Sequence, residues 1–126
     1  MIRAVGLDIV DIDRFKKIAG RWQDRFLSRL FTQNEIEQCQ KKSGTVHSLA
    51  ARFAAKEALI KCIPSNTLTH FDWHEAEILS SDDGKPYVRL YGGLEELFKD
   101  DSIFISLSHS DKSAAAVIVV DKKETR

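Results

Sequence analysis

The stretch ARFAAKEALIK, Ala51 to Lys61, constrains the fold more than any other part of the chain. Its alanines, leucine, lysines and glutamate are strong helix formers, and Pro64 supplies the stop, so a long helix is expected from about His47 to Cys62. The flanks read differently. IRAVGLDIV, near the start, is apolar and β-branched and reads as a mostly buried strand. DIDRFKKIAG then predicts a short helix, with Ile12, Phe15 and Ile18 at helical spacing and Gly20 as its stop. RWQDRFLSRLF predicts a second helical piece. Trp22, Phe26, Leu27 and Leu30 form its apolar face, with Arg21, Arg25 and Arg29 in a basic stripe beside it. Thr32 to Glu35 fits a capping box opening a third helix, and KKSGT reads as a loop.

Beyond Pro64 the pattern turns to strands. NTLTHFDWHEAEILSSDDGKPYVRLYG reads as loop, strand, turn and strand, with Asp83-Gly84 as the hairpin signal. GLEELFKD is a short amphipathic helix. SIFISLSHS and SAAAVIVVD are strands joined by a short polar turn, and KKETR is a charged tail. Helices and strands mix without steady βαβ alternation, which indicates α+β.

Bulk properties narrow the function. A length of 126 residues suits one domain. Nineteen basic residues balance 19 acidic ones, whereas strong unspecific nucleic-acid binding calls for a basic excess. Cys39 and Cys62 show neither zinc spacing nor a disulfide framework, which predicts a reduced, cytoplasmic setting. Asp8, Asp11 and Asp13 interrupt the first apolar run and argue against a signal peptide. No apolar run approaches the ~18 residues that would indicate a membrane span.

A few residues stand out chemically. Asp8 lies inside an apolar strand, where a lone carboxylate is costly unless something pairs with it; the alternative is an Asp that caps the next helix. Glu57 and Lys61 are four apart on the long helix and either form a surface ion pair or belong to a site. His109 ends a strand in SLSHS, and its bland reading is a polar strand-end residue. Together they suggest more. Two carboxylates from different elements suit magnesium, which completes its shell with water and substrate phosphates. Lys61 lies one turn past Glu57 and would reach a phosphate, while Arg52 offers a bidentate phosphate grip. The inventory points to phosphoryl-type chemistry.

GLDIVDIDRF, ARFAAKEALIK and SLSHS, in that order and at these separations, resemble the holo-acyl-carrier-protein synthase family, the small bacterial class of 4′-phosphopantetheinyl transferases. The match includes DGKPYVRLYG and spans essentially the whole chain. The resemblance implies one transferase domain over 1–126, a mainly antiparallel sheet with one long helix packed on it. It also implies transfer of the phosphopantetheine arm of coenzyme A to a serine of apo acyl carrier protein, in fatty-acid biosynthesis, with adenosine 3′,5′-bisphosphate leaving. Asp8 and Glu57 would hold the metal, and Lys61 would sit near the phosphates. Arg52 and His109 would contact the coenzyme, and the serine proton would go to Asp8 through a metal-bound water or to another nearby base. A homotrimer is implied, with coenzyme A between neighbouring subunits. Arg14, Arg21 and Arg25 would offer a basic face to an acidic carrier protein.

One segment departs from the family. A Gly-rich turn usually follows the lysine, and CIPSNTLT stands there instead, with less conformational freedom at Pro64 and Ser65. Two other readings therefore stand beside the enzyme: a family member that binds coenzyme A or carrier protein with weak or no transfer, and an unrelated small domain. The second leaves Asp8 on its strand unexplained.

Overall fold

The computed structural model describes residues 1–67 and 71–124, with the backbone alone given over 21–24. Strand β1 (Ile2–Asp11) leads into helices α1 (Ile12–Leu30), α2 (Gln33–Gln40) and α3 (Thr45–Ile60). A 3-10 turn at Trp73–Glu75 precedes β2 (Ala76–Ser80), β3 (Pro86–Leu90), α4 (Gly92–Leu97), β4 (Asp101–His109) and β5 (Ser113–Lys122). The strands form an antiparallel sheet in the order β1-β5-β4 and an antiparallel hairpin, β2-β3. The α+β expectation holds.

Helix α3 lies on one face of the larger sheet because its side chains are small. Ala50, Ala54, Ala55 and Ala58 are fully buried, as are Ala114, Ala116, Ile118 and Val120 on β5. Closest approach is at Gly6 of β1, where a Cβ would overlap the carbonyl oxygen of Ala58 and crowd the Cys62 sulfur. Only hydrogen fits there, so Gly6 sets the depth at which β1 meets α3. The predicted hairpin also forms: Gly84 takes a φ of 87°, and the Gly84 N–H donates to the Ser81 carbonyl at 2.8 Å.

Two expectations are overturned. Gly20 does not stop a helix; α1 runs unbroken for 19 residues. One helix-interior glycine costs about 1 kcal/mol against alanine, less than the packing of Ile12, Phe15 and Leu30 returns. Nothing lies within 4 Å of where a Gly20 side chain would begin. Gly20→Ala should therefore stabilise the fold by about 0.5–1 kcal/mol in a urea titration, chiefly by restricting the unfolded chain.

Nor is β1 buried on both faces. Its inner face, with Gly6, meets α3, but Val5, Leu7 and Ile9 are 59, 64 and 70% exposed. Phe104 of β4 is a further exposed large apolar residue. The sheet thus presents apolar side chains away from the chain's own core.

Candidate active site

The close contact of β1 with α3 brings together Asp8, two residues beyond Gly6, and Glu57, beside Ala58. Both line one cavity of about 620 Å³. Its walls are otherwise largely apolar, from Ile9, Val10, Phe15, Ile18, Phe26 and Phe53, with Asp11, Arg14 and Ser113 at the edges. Asp8 does not cap the next helix. Asp11 does, accepting from the Asp13 N–H at 3.2 Å, which leaves Asp8 free for the cavity.

Lys61 does not pair with Glu57. Its Nζ donates to the Leu7 carbonyl at 2.7 Å and to Asp8 Oδ1 at 3.3 Å. Glu57 is left with partial burial and the nearby Asp8 charge, which together push its carboxyl pKa upward, while Lys61 pulls it back down. Two acids sharing one cation are under-neutralised. Among the described residues no cluster of three or more His, Cys, Asp and Glu surrounds a metal position. A pair of hard oxygen donors facing an open cavity nevertheless fits a magnesium-type ion, which needs one or two carboxylates and takes the rest of its shell from water and phosphate.

The structure corrects the expectation for Arg52. The residue is 3% exposed and faces away from this cavity. Its guanidinium donates to the Ile78 carbonyl at 2.8 Å, to Gln38 Oε1 at 3.1 Å and to Ser80 Oγ at 3.3 Å. It ties α3 to α2 and β2, which leaves no bidentate face for a phosphate. His109 is exposed at the end of β4, with its ring 5.5 Å from that of His47. It lines a second, smaller cavity of about 340 Å³ with Lys42 and Asp111, apart from Asp8 and Glu57.

Arg14 and Arg25 are exposed on α1, and Arg14 also lines the main cavity. Because α1 is continuous, their 11-residue spacing returns them to within about 20° of one another around the axis. The side chains of Arg21 and Trp22 lie outside the described residues.

In the departing loop, Asn66 takes a φ of 65°, the left-handed conformation that glycine usually supplies. Asn is among the few residues that adopt it readily. The Thr67 hydroxyl and N–H both donate to the Pro64 carbonyl. The turn therefore keeps a left-handed residue without glycine, while Leu68 and Thr69 lie outside the described residues.

Lys56 and Glu35 were not legible as a pair. Both are fully buried, with Lys56 Nζ 2.8 Å from Glu35 Oε1. The same ammonium donates to the carbonyls of Leu30 at 2.7 Å and Trp73 at 2.8 Å, which anchors the end of α1 and the 3-10 turn to the helix carrying Glu57. Burial pushes the lysine pKa down, opposed by Glu35. The capping box gave Glu35 one role, accepting the Thr32 N–H on its Oε1; nothing local indicated the second.

Known proteins resemble this chain in sequence and fold. Residues 4–119 match the family model of the 4′-phosphopantetheinyl transferase superfamily. The holo-(acyl-carrier-protein) synthase of Halothermothrix orenii is 38% identical over 122 residues, covering 94% of this chain and 97% of the relative. That of Geobacter metallireducens is 39% identical over 125 residues, covering 97% and 99%. Among solved structures, the Helicobacter pylori holo-(acyl-carrier-protein) synthase in complex with coenzyme A superposes with a TM-score of 0.82 at 31% identity, covering 94% of this chain and all of that one. The Neisseria meningitidis synthase superposes with a TM-score of 0.85 at 26% identity, covering 97% and 100%. With a family-model match over nearly the whole chain and relatives of this identity along its full length, the chain belongs to the 4′-phosphopantetheinyl transferase superfamily.

Proposed function

We propose that this protein is a holo-acyl-carrier-protein synthase. It moves the 4′-phosphopantetheine arm of coenzyme A to a serine of apo acyl carrier protein, serving fatty-acid biosynthesis in the cytoplasm. The observation that carries this reading is the meeting of Asp8, Glu57 and Lys61 where β1 crosses α3. The serine oxygen attacks the β-phosphorus of coenzyme A, the bond from that phosphorus to the bridging oxygen breaks, and adenosine 3′,5′-bisphosphate leaves. Asp8 and Glu57 would hold magnesium. When bound, the ion supplies positive charge against the charge building on the pyrophosphate. Lys61 adds a compact ammonium beside it, and a carboxylate of the cavity takes the serine proton. The apolar walls at Phe15, Phe26 and Phe53 limit water around the reacting groups. His109 is a coenzyme contact from its separate cavity.

Incubation with apo carrier protein, coenzyme A and magnesium, read by mass spectrometry, tests the reading directly. Appearance of the added phosphopantetheine mass is the expected result. Coenzyme A binding without any mass gain would favour the binding-protein alternative.

Arg14 and Arg25 form the face that receives an acidic carrier protein. Arg14→Glu or Arg25→Glu should raise the KM for carrier protein about tenfold while leaving that for coenzyme A nearly unchanged. Added salt should imitate the substitutions, because exposed charges are screened over ~8–10 Å. An unchanged carrier-protein KM in both variants would reduce this face to a solvated one.

A homotrimer is part of the proposal, supported by the apolar outer face of Val5, Leu7 and Phe104, which copies of the chain would cover. Sedimentation velocity should give a mass near three chains, and Leu7→Arg should shift it toward one. A wild-type monomer at micromolar concentration would refute the assembly.

A further inference from the structure

Lys61 sits against a carboxylate oxygen of Asp8, one of the two acids assigned above to a metal ion. Its Nζ lies 3.3 Å from Asp8 Oδ1 and is held there by a second bond, 2.7 Å long, to the Leu7 carbonyl. The lysine side chain is 54% exposed and that of Asp8 only 19%, so the cation is the partner free to swing out. We propose that Lys61 and the divalent cation compete for Asp8, so that the cation enters this site together with the coenzyme's pyrophosphate rather than before it.

The inference rests on reading Asp8 and Glu57 as metal carboxylates, and charge balance supports it. Two carboxylates and one ammonium carry a net charge of about −1. A dication placed among them leaves a net +1 at the edge of an apolar cavity, with Lys61 repelled from its resting place. A pyrophosphate reverses that imbalance: it gives the dication further oxygen ligands and gives the displaced ammonium a new anion. The flexible four-carbon stem of Lys61 would let the ammonium leave the Leu7 carbonyl for a bound phosphate. The lysine would thus serve first as a stand-in for the metal, then as a phosphate contact.

The test is a titration of Mn2+ into the protein without coenzyme A, with free Mn2+ followed by electron paramagnetic resonance. Lys61→Met keeps the stem and removes the charge, and should bind Mn2+ about fivefold more tightly, the factor equivalent to a strong exposed ion pair. The same variant should bind coenzyme A more weakly, so the two ligands respond with opposite sign. Arg14→Met removes a cation from the same cavity that does not touch Asp8, and should tighten Mn2+ much less. Equal or weaker Mn2+ binding by Lys61→Met, or equal tightening by Arg14→Met, overturns the competition. Asp8→Asn separates this from the reading beneath it. If it binds Mn2+ as the wild type does, the metal site itself is refuted. If it binds more weakly while Lys61→Met is unchanged, only the competition falls.

Discussion

Asp8→Ala and Glu57→Ala should each lower phosphopantetheinyl transfer by roughly 10³-fold or more, with circular dichroism and thermal melting close to wild type. Each removes one of two hard oxygen donors from the cavity, and a metal ion's stabilisation of transition-state charge is worth several kcal/mol, or about a factor of ten per 1.36 kcal/mol. Neither side chain carries the core: Asp8 is partly exposed, and Glu57 forms no ion pair among the described residues. Transfer should also depend on pH through Glu57. Burial and the Asp8 charge raise its pKa, so the carboxyl stays protonated to a higher pH than an ordinary glutamate. A protonated Glu57 is a poor metal ligand, so activity should fail on the acid side first, and excess magnesium should partly restore it. Full activity of either alanine variant, with magnesium as the sole metal, would dismiss the assigned site.

Glu35→Ala should cost about 3–5 kcal/mol, because it leaves the Lys56 ammonium buried without its counter-charge. Domains of ordinary stability hold only about 5–15 kcal/mol in reserve, so the variant should unfold at much lower urea. Glu35 also accepts the Thr32 N–H at 2.8 Å and the Ile78 N–H at 2.9 Å, so the same change unpins α2 from β2. Glu35→Gln keeps the shape and loses the charge, and should fall between wild type and Glu35→Ala. A loss under about 1 kcal/mol for Glu35→Ala would mean that Lys56 finds another anion or water.

Local signals in the sequence placed most elements. The Thr32–Glu35 box, the Pro64 stop and the Asp83-Gly84 turn each act within a few residues, and each appears where expected. Gly20 misled because a propensity cost of about 1 kcal/mol is easily outweighed by packing that no window of sequence displays. Strand β1 misled for a related reason. An apolar run shows that both faces carry apolar side chains but not that the chain itself covers both. Within the site, Asp8 and Glu57 were legible through their odd settings, and the structure brings them to one cavity. Arg52 was not legible. Residues 52 and 56 lie one turn apart and share the buried side of α3, while Glu57, about 100° further round, faces the cavity. A cation's type suggested phosphate; its direction, set by tertiary packing, assigns it to Ile78, Ser80 and Gln38. Lys61 was read either as a surface partner of Glu57 or as a site lysine; it reaches across to β1 rather than to Glu57, because Gly6 lets the strand come close enough.

Strand β1 has a double duty along its length: Asp8 lines the cavity, while Val5 and Leu7 point outward from the sheet. If the proposed assembly seats other copies on that outer face, dilution should act on the enzyme as a mutation would. Melting temperature should climb with protein concentration, since assembly draws the folded state forward by mass action. At nanomolar enzyme, turnover per subunit should fall although every catalytic side chain is intact. A substitution at Val5 or Leu7 would then pass for an active-site defect unless assays are repeated across a range of enzyme concentrations.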